Sequence, residues 1–218
     1  MRRKTKAVIF DLDGTLLDTL GDLYTCVNHT MEHFGLPCHS KESVRLFVGN
    51  GAEDLMARSV PGGRDHPQFA QILDYYRPYY TAHAADQTHP YDGILPLLRT
   101  LKERGIAVGI ASNKHDAAVK ALAQRYFPGL VDVAVGEGGR IRKKPCPDSV
   151  EEAMHSVGAS REEVVYVGDS DVDVWTGDEA GVFTVSVLWG FRDADCLAAA
   201  GAKQYAKTPA ELLNYIEM

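Results

Sequence analysis

From Ile94 to the C-terminus the sequence alternates between two textures, and this restricts the fold more than any other feature. Short, nearly unbroken apolar runs occur at residues 106–111, 130–135, 163–167 and 182–188. Between and before them, at 94–104, 114–126, 149–157 and 172–180, apolar residues recur at three- and four-residue steps, the period of a helix face. A last helical pattern covers 209–216. Strands apolar on both faces need cover on both sides, and alternating helices supply it in a doubly wound, Rossmann-like parallel sheet. The run 6–10 has the same character and is expected to join that sheet as its first strand.

Between Asp18 and Thr88 no strand pattern is found. Leu16, Leu20, Leu23, Val27, Met31 and Phe34 trace one face of a helix ended by Gly35 and Pro37. Ser40 is placed to cap a helix through Val44 and Phe47, the turn Gly49-Asn50-Gly51 leads into a helix at 52–60, and a further pattern covers 69–80, where Pro78 is expected to bend or end it. The expected organisation is an α/β core made of residues 1–17 and 89–218, with residues 18–88 inserted as a small all-helical domain.

Composition narrows the function. A chain of 218 residues, 45% hydrophobic, can bury one sizeable core and a small companion. A net charge of −7 without a basic patch argues against a nucleic-acid partner. The basic leader MRRKTK precedes an apolar run too short for a secretory signal, and no stretch approaches the roughly 18 apolar residues of a membrane span. Cys26, Cys38, Cys146 and Cys196 are scattered without a C-x-x-C pair, a pattern of reduced thiols that makes the cytoplasm the expected location. The oligomeric state stays open between monomer and homodimer.

Ligands of a doubly wound sheet bind beyond the carboxyl ends of its strands. The first strand runs out into Asp11-Leu12-Asp13-Gly14-Thr15. The run at 106–111 leads into Ser112-Asn113-Lys114, and the run at 163–167 into Gly168-Asp169-Ser170-Asp171-Val172-Asp173. Lys143-Lys144-Pro145 precedes the helix at 149. Each piece alone has an ordinary reading as a turn, a cap or a solvated loop; their conjunction at one end of the sheet does not.

A carboxylate rigidly aimed at a strand end, Asp11, is a natural nucleophile able to form an aspartyl phosphate. Asp13 is placed to act as general acid toward a leaving alkoxide and then as base toward water. Gly14 lets the backbone pass close to a ligand, and Thr15 offers a local hydrogen bond. Crowded carboxylates facing a phosphate require a hard cation, and Mg²⁺ fits, with carboxylates from Asp11 and Asp169 and the main-chain carbonyl of Asp13. Asp173, one helical turn past Asp169, and Ser170 support that set. Ser112, Asn113 and nearby amides are expected to bind phosphoryl oxygens at a helix N-terminus, and Lys144 to neutralise nucleophile and phosphate together.

The stretches DLDGTLLD, ASNK, KKPCP and GDSDVD resemble, in order, the four motifs of the haloacid dehalogenase superfamily. The acid at Asp13 points away from true dehalogenases toward its phosphatases and phosphomutases. The segments FVGNGAEDLM, YYTAHAADQTHPYDGI and GVFTVSVLWGFRDADCLAAAGA are similar to the phosphoglycolate phosphatase-like group, in which the helical insertion is a cap. The resemblance implies Mg²⁺-dependent hydrolysis of a small phosphate monoester, with 2-phosphoglycolate the first substrate to try. It implies Asp11 as nucleophile, Asp13 as acid/base, Ser112 and Lys144 at the phosphate and Asp169 on the metal. Two departures are Ser112 where Thr is common and Asp171-Val172 where polar or basic neighbours are usual. Alternatives within the superfamily are an inorganic pyrophosphatase, a hexose phosphomutase and a phosphonate hydrolase; the last usually needs a Schiff-base lysine in the cap, where Lys41 is the one lysine present. From another class, a receiver-like phospho-aspartate module shares the acceptor Asp, hydroxyl, Lys and Mg²⁺, but carries its acceptor in mid-sequence.

Lesser signals complete the reading. Gly49, Asn50 and Gly51 are too few for a dinucleotide fingerprint but could offer amides to a substrate. His29 and His33 have zinc-binding spacing without further ligands, so an exposed polar face is expected. Tyr75, Tyr76, Tyr79 and Tyr80 read as packing. Lys114 is either a source of positive potential near a phosphate or the first solvated residue of its helix.

Overall fold

The computed structural model describes residues 4–216. In chain order the elements are β1 (Ala7–Phe10), β2 (Leu17–Asp18), α1 (Leu20–His33), α2 (Lys41–Phe47), α3 (Gly51–Ser59), α4 (Phe69–His83), β3 (His89–Pro90), α5 (Ile94–Glu103), β4 (Ala107–His115), α6 (Asp116–Tyr126), β5 (Val133–Glu137), α7 (Asp148–Ser156), β6 (Val164–Gly168), α8 (Asp171–Ala180), β7 (Phe183–Val187), α9 (Ala194–Ala199) and β8 (Tyr205–Ala206). They divide between two compact units. One comprises the chain up to Leu17 together with everything from Pro90 onward; the other is Asp18–His89.

The larger unit is built on a six-stranded sheet ordered β5-β4-β1-β6-β7-β8, with all neighbouring pairs parallel. The central strand β1 is buried along its whole length, which its unbroken apolar sequence requires. Register then does the functional work. Phe10 lies level with Ile110 of β4 and with Val167 of β6, so the chain just beyond these three residues comes together at the carboxyl-terminal end of the central sheet. The Asp11 amide continues this pairing, donating to the Val167 carbonyl at 2.8 Å. Strand order also reverses direction here, where open α/β sheets place their ligands.

Several boundaries differ from expectation for identifiable reasons. Leu16 does not belong to the first helix. Leu16 and Leu17 both donate to the Leu12 carbonyl and Gly14 donates to Leu17, so the segment closes on itself and α1 begins only at Leu20. β4 continues past a register shift to pair His115 with Glu137, which delays α6 to Asp116. The C-terminal helical pattern is a 3₁₀ helix, Pro209–Tyr215. β8 and α9 are additional elements.

The smaller unit contains α1–α4. α4 runs through Pro78 to His83 rather than stopping there. Pro78 and Asp74, whose carbonyl loses its partner to the proline, are both exposed, so water can satisfy the freed oxygen. α1 and α4 interleave their rings. Ring centroids are 4.0 Å apart for His33–Tyr75, 6.0 Å for Tyr75–His29, 4.0 Å for His29–Tyr79 and 4.5 Å for Tyr79–His83. His29 and His33 are therefore not a bare polar face, and Tyr75 stands between them. The buried Asp22 carboxylate accepts from the Gln87 amide and from both the amide and hydroxyl of Thr88, which fixes the returning chain. Gly49 and Gly51 adopt φ of +126° and +81° around Asn50, the residue that opens α3. No helix among the described residues is long and apolar enough to cross a membrane, and all four cysteines are free thiols.

Candidate active site

The loop leaving β1 presents two carboxylates in different settings. Asp11 is buried at the strand exit, and its Oδ1 accepts from the Lys144 ammonium at 2.8 Å. Asp13 forms an ion pair with Lys114 through Oδ2 at 3.0 Å, while its Oδ1 is buried with no hydrogen-bond partner. Lys114 is thus not the first solvated residue of its helix, because its side chain is almost fully enclosed against Asp13. Gly14 has φ of +90°, and a Cβ there would lie 2.3 Å from Asp169 Oδ2, so this turn admits only glycine. The buried Thr15 hydroxyl donates to Asp169 Oδ1 at 3.0 Å.

Lys144 is the hub. Besides Asp11 its ammonium donates to Asp173 Oδ1 at 2.7 Å and to the Tyr166 hydroxyl at 3.1 Å. Asn113 holds its backbone from both sides: the Lys144 amide donates to Asn113 Oδ1 at 2.6 Å, and Asn113 Nδ2 donates to the Lys144 carbonyl at 3.2 Å. Burial pushes the ammonium toward its neutral form, but Asp11 and Asp173 outweigh burial and hold Lys144 charged, its pKa well above the usual lysine value. For Asp173 burial opposes the charge, yet the Lys144 ammonium and the donors around it win and keep the carboxyl below its usual range. Tyr166 also donates to Asp173 Oδ1, at 2.6 Å, and burial together with that carboxylate holds the phenol well above its ordinary value.

Asp169 follows β6. Burial, then the Asp173 charge, raise its carboxyl to about 7 against the opposing pull of the Phe191 amide, Thr15 and Arg192. Burial likewise lifts Asp11 well above the carboxylate range; Lys144 opposes this, while Asp173 and Asp169 add to it. Oxygens of Asp11, Asp169 and Asp173 all lie within 4.8 Å of one another. The donor set is all oxygen and the charges are mutually strained, a combination relieved by a hard divalent cation. Each Asp173 oxygen already accepts two hydrogen bonds, from Lys144 and Tyr166 and from the Ser170 amide and hydroxyl, which uses its lone pairs. Asp11 and Asp169 are the two whose oxygens could hold an ion. Ser170 caps α8 reciprocally with Asp173.

Asp11, Asp13, Gly14, Thr15, Ser112, Asn113, Lys144, Asp169, Ser170 and Asp173 thus all belong to the larger unit, and Gly49, Asn50 and Gly51 to the other. One detail changes. Ser112 and Asn113 are not at a helix N-terminus, because β4 extends three residues beyond Ser112; the Ser112 hydroxyl accepts from the Lys114 amide within the strand exit. Sequence reasoning missed Tyr166, hidden within an apolar run, and the segment 189–192. In that segment Trp189 Nε1 donates to the Thr15 carbonyl at 3.0 Å, and the Phe191 amide donates to Asp169 Oδ2 at 2.7 Å.

Comparisons with known proteins agree with this architecture. Residues 8–187 match the family model for haloacid dehalogenase-like hydrolases. The chain is 30% identical over 218 residues to the N-acetylmuramic acid 6-phosphate phosphatase of Pseudomonas aeruginosa, covering 99% of this chain and 96% of that protein. It is 32% identical over 193 residues to a phosphoglycolate phosphatase of Pseudomonas putida, covering 86% and 71% respectively. A crystal structure of a protein from Lactobacillus delbrueckii subsp. bulgaricus is similar with a TM-score of 0.93 at 32% identity, over 98% of both chains.

Proposed function

The chain belongs to the haloacid dehalogenase-like hydrolases, and on that premise we propose that it is a magnesium-dependent phosphatase that hydrolyses a small phosphate monoester through an aspartyl phosphate on Asp11. The observation that carries this reading is the arrangement around Lys144: a buried ammonium bridges the Asp11 carboxylate at the exit of the central strand to Asp173, beside Asp169.

In this reading Asp11 attacks phosphorus, and the bond to the leaving oxygen breaks as Asp13 gives that oxygen a proton. Asp13, now a carboxylate, takes a proton from the water that attacks the phosphorus of the acyl phosphate. The bond from phosphorus to Asp11 breaks, and inorganic phosphate leaves. The unpartnered Oδ1 is the atom of Asp13 that carries the proton, while Lys114 fixes the other oxygen. Lys144 balances the charge of Asp11 before attack and of the phosphoryl oxygens during it. Asp11 and Asp169, with the Asp13 carbonyl, are the groups that would hold magnesium, which would supply further positive charge beside the phosphoryl oxygens. Lys114→Met leaves Asp13 unanchored, so kcat is expected to fall by up to about 100-fold with KM little changed. An unaltered kcat in steady-state kinetics removes Lys114 from the scheme.

The first candidate substrate is 2-phosphoglycolate, the activity for which several relatives are named. A second reading is a phosphorylated sugar acid, favoured by the relative that matches along nearly its whole length. A phosphate-release screen with Mg²⁺ separates them when it includes both esters, hexose phosphates, nucleotides and pyrophosphate. Release of free phosphate over many turnovers, stopped by chelation, is the expected result. Transfer back to a sugar identifies a phosphomutase, a preference for pyrophosphate identifies the pyrophosphatase, and a stable phosphoprotein without turnover identifies a signalling module. The turn Gly49-Asn50-Gly51 is proposed to contribute to recognition. Substituting Asn50 and Gly51 is expected to raise KM or change the order of substrates in the screen, and unchanged kinetics refute the assignment.

A further inference from the structure

We infer that residues 189–192, which lie outside the four strand exits, form a positioning element that fixes the Asp169 carboxylate and thereby sets the affinity of this protein for magnesium. The inference rests on the phosphatase reading above and deepens it.

Five contacts converge on one carboxylate and its neighbours. The Phe191 amide donates to Asp169 Oδ2, and the Thr15 hydroxyl donates to Oδ1. The Trp189 indole fastens the Thr15 carbonyl, so the hydroxyl donor is itself held by the segment. Gly190 packs so closely that a Cβ would stand 2.3 Å from Asp169 Cβ, 2.5 Å from Oδ2 and 2.5 Å from the Gly14 carbonyl oxygen. Arg192, almost fully buried, lies 3.4 Å through Nε from Asp171 Oδ1 at the first turn of α8. The segment is therefore anchored both to the loop after β1 and to the helix that follows Asp169.

The consequence is a carboxylate with one donor on each oxygen and the Gly190 backbone packed so close that a side chain there would collide with it. A ligand already held in its binding orientation loses little freedom when the ion arrives, and such supporting partners strongly influence metal affinity. Ordinary core packing would not require donors of this kind; it would only require the segment to fill space.

The test is calorimetric titration of Mg²⁺ into the substrate-free protein and three variants. Gly190→Ala drives a methyl into Asp169 and is expected to weaken magnesium binding by about 10- to 100-fold. Trp189→Phe keeps the ring and removes the donor to Thr15, with an expected loss of about fivefold, the value of one hydrogen bond. Leu197→Ala, a cavity in the buried face of α9, is expected to lower Tm while binding magnesium as the wild type does. Wild-type affinity in Trp189→Phe overturns the inference, whether or not Gly190→Ala folds. Equal weakening in Leu197→Ala also overturns it, because the effect would then follow from stability alone. A wild type that takes up no magnesium overturns the phosphatase reading and this inference together.

Discussion

Asp11→Asn is expected to lower turnover by about 10,000-fold or more, the usual scale for deleting a nucleophile that works as part of a unit. The same variant is expected to be more stable than the wild type in the presence of a chelator. The two effects share one cause. Asp11 is buried beside Asp169 and Asp173, and burial holds its carboxyl well above the carboxylate range in the folded protein. An acid whose folded pKa lies above its unfolded value favours the protonated form on folding, so at neutral pH its ionised form costs stability. Asparagine preserves the shape and removes the charge. Thermal melts in chelator, paired with phosphate release, check both parts. A variant that keeps turnover rejects the covalent scheme, and one that loses turnover only by unfolding leaves Asp11 a structural residue.

Lys144→Met has the opposite stability signature. The ammonium lies between two buried carboxylates and a buried phenol, with 2% of its side chain exposed. Removing it leaves Asp11 and Asp173 without their enclosed counter-charge, and breaking a buried pair from one side costs about 3–5 kcal/mol. Turnover is expected to fall by about 100- to 1,000-fold, because the charge developing on the phosphoryl oxygens loses a fixed donor. Added Mg²⁺ should restore part of the lost stability, since a dication can replace the missing charge among the carboxylates, without restoring turnover. Wild-type Tm in this variant would show that Lys144 is not the electrostatic hub of the site.

Much of this architecture was legible in the sequence because the signals were long or chemically unusual. Four apolar runs separated by helical periods leave few options besides a parallel sheet, and carboxylates directly after such runs have no role in a core. What escaped was set by tertiary register. Tyr166 sits in Val-Val-Tyr-Val and looks like any other buried residue; only the placement of β6 beside Lys144 gives its hydroxyl two partners. Trp189 and Gly190 carry no local pattern, and their importance comes from Asp169, some twenty positions earlier. Lys114 was ambiguous because a lysine after a strand can point to solvent or back into the site, and the extension of β4 turns it toward Asp13. β8 and α9 are too short to show a period. The histidine pair at 29 and 33 had the right spacing for zinc, but both rings stack on Tyr75 of α4.

If Asp11 is the nucleophile, phosphorus becomes bonded to its carboxylate during turnover. Acid quench of the protein during turnover, followed by borohydride reduction and peptide mass spectrometry, reads this directly, because reduction converts an aspartyl phosphate to homoserine and spares free aspartate. Homoserine is expected at position 11 and nowhere else, growing with substrate concentration. Sustained phosphate release with position 11 remaining aspartate throughout, or homoserine at another position, would contradict the assignment of Asp11 as nucleophile.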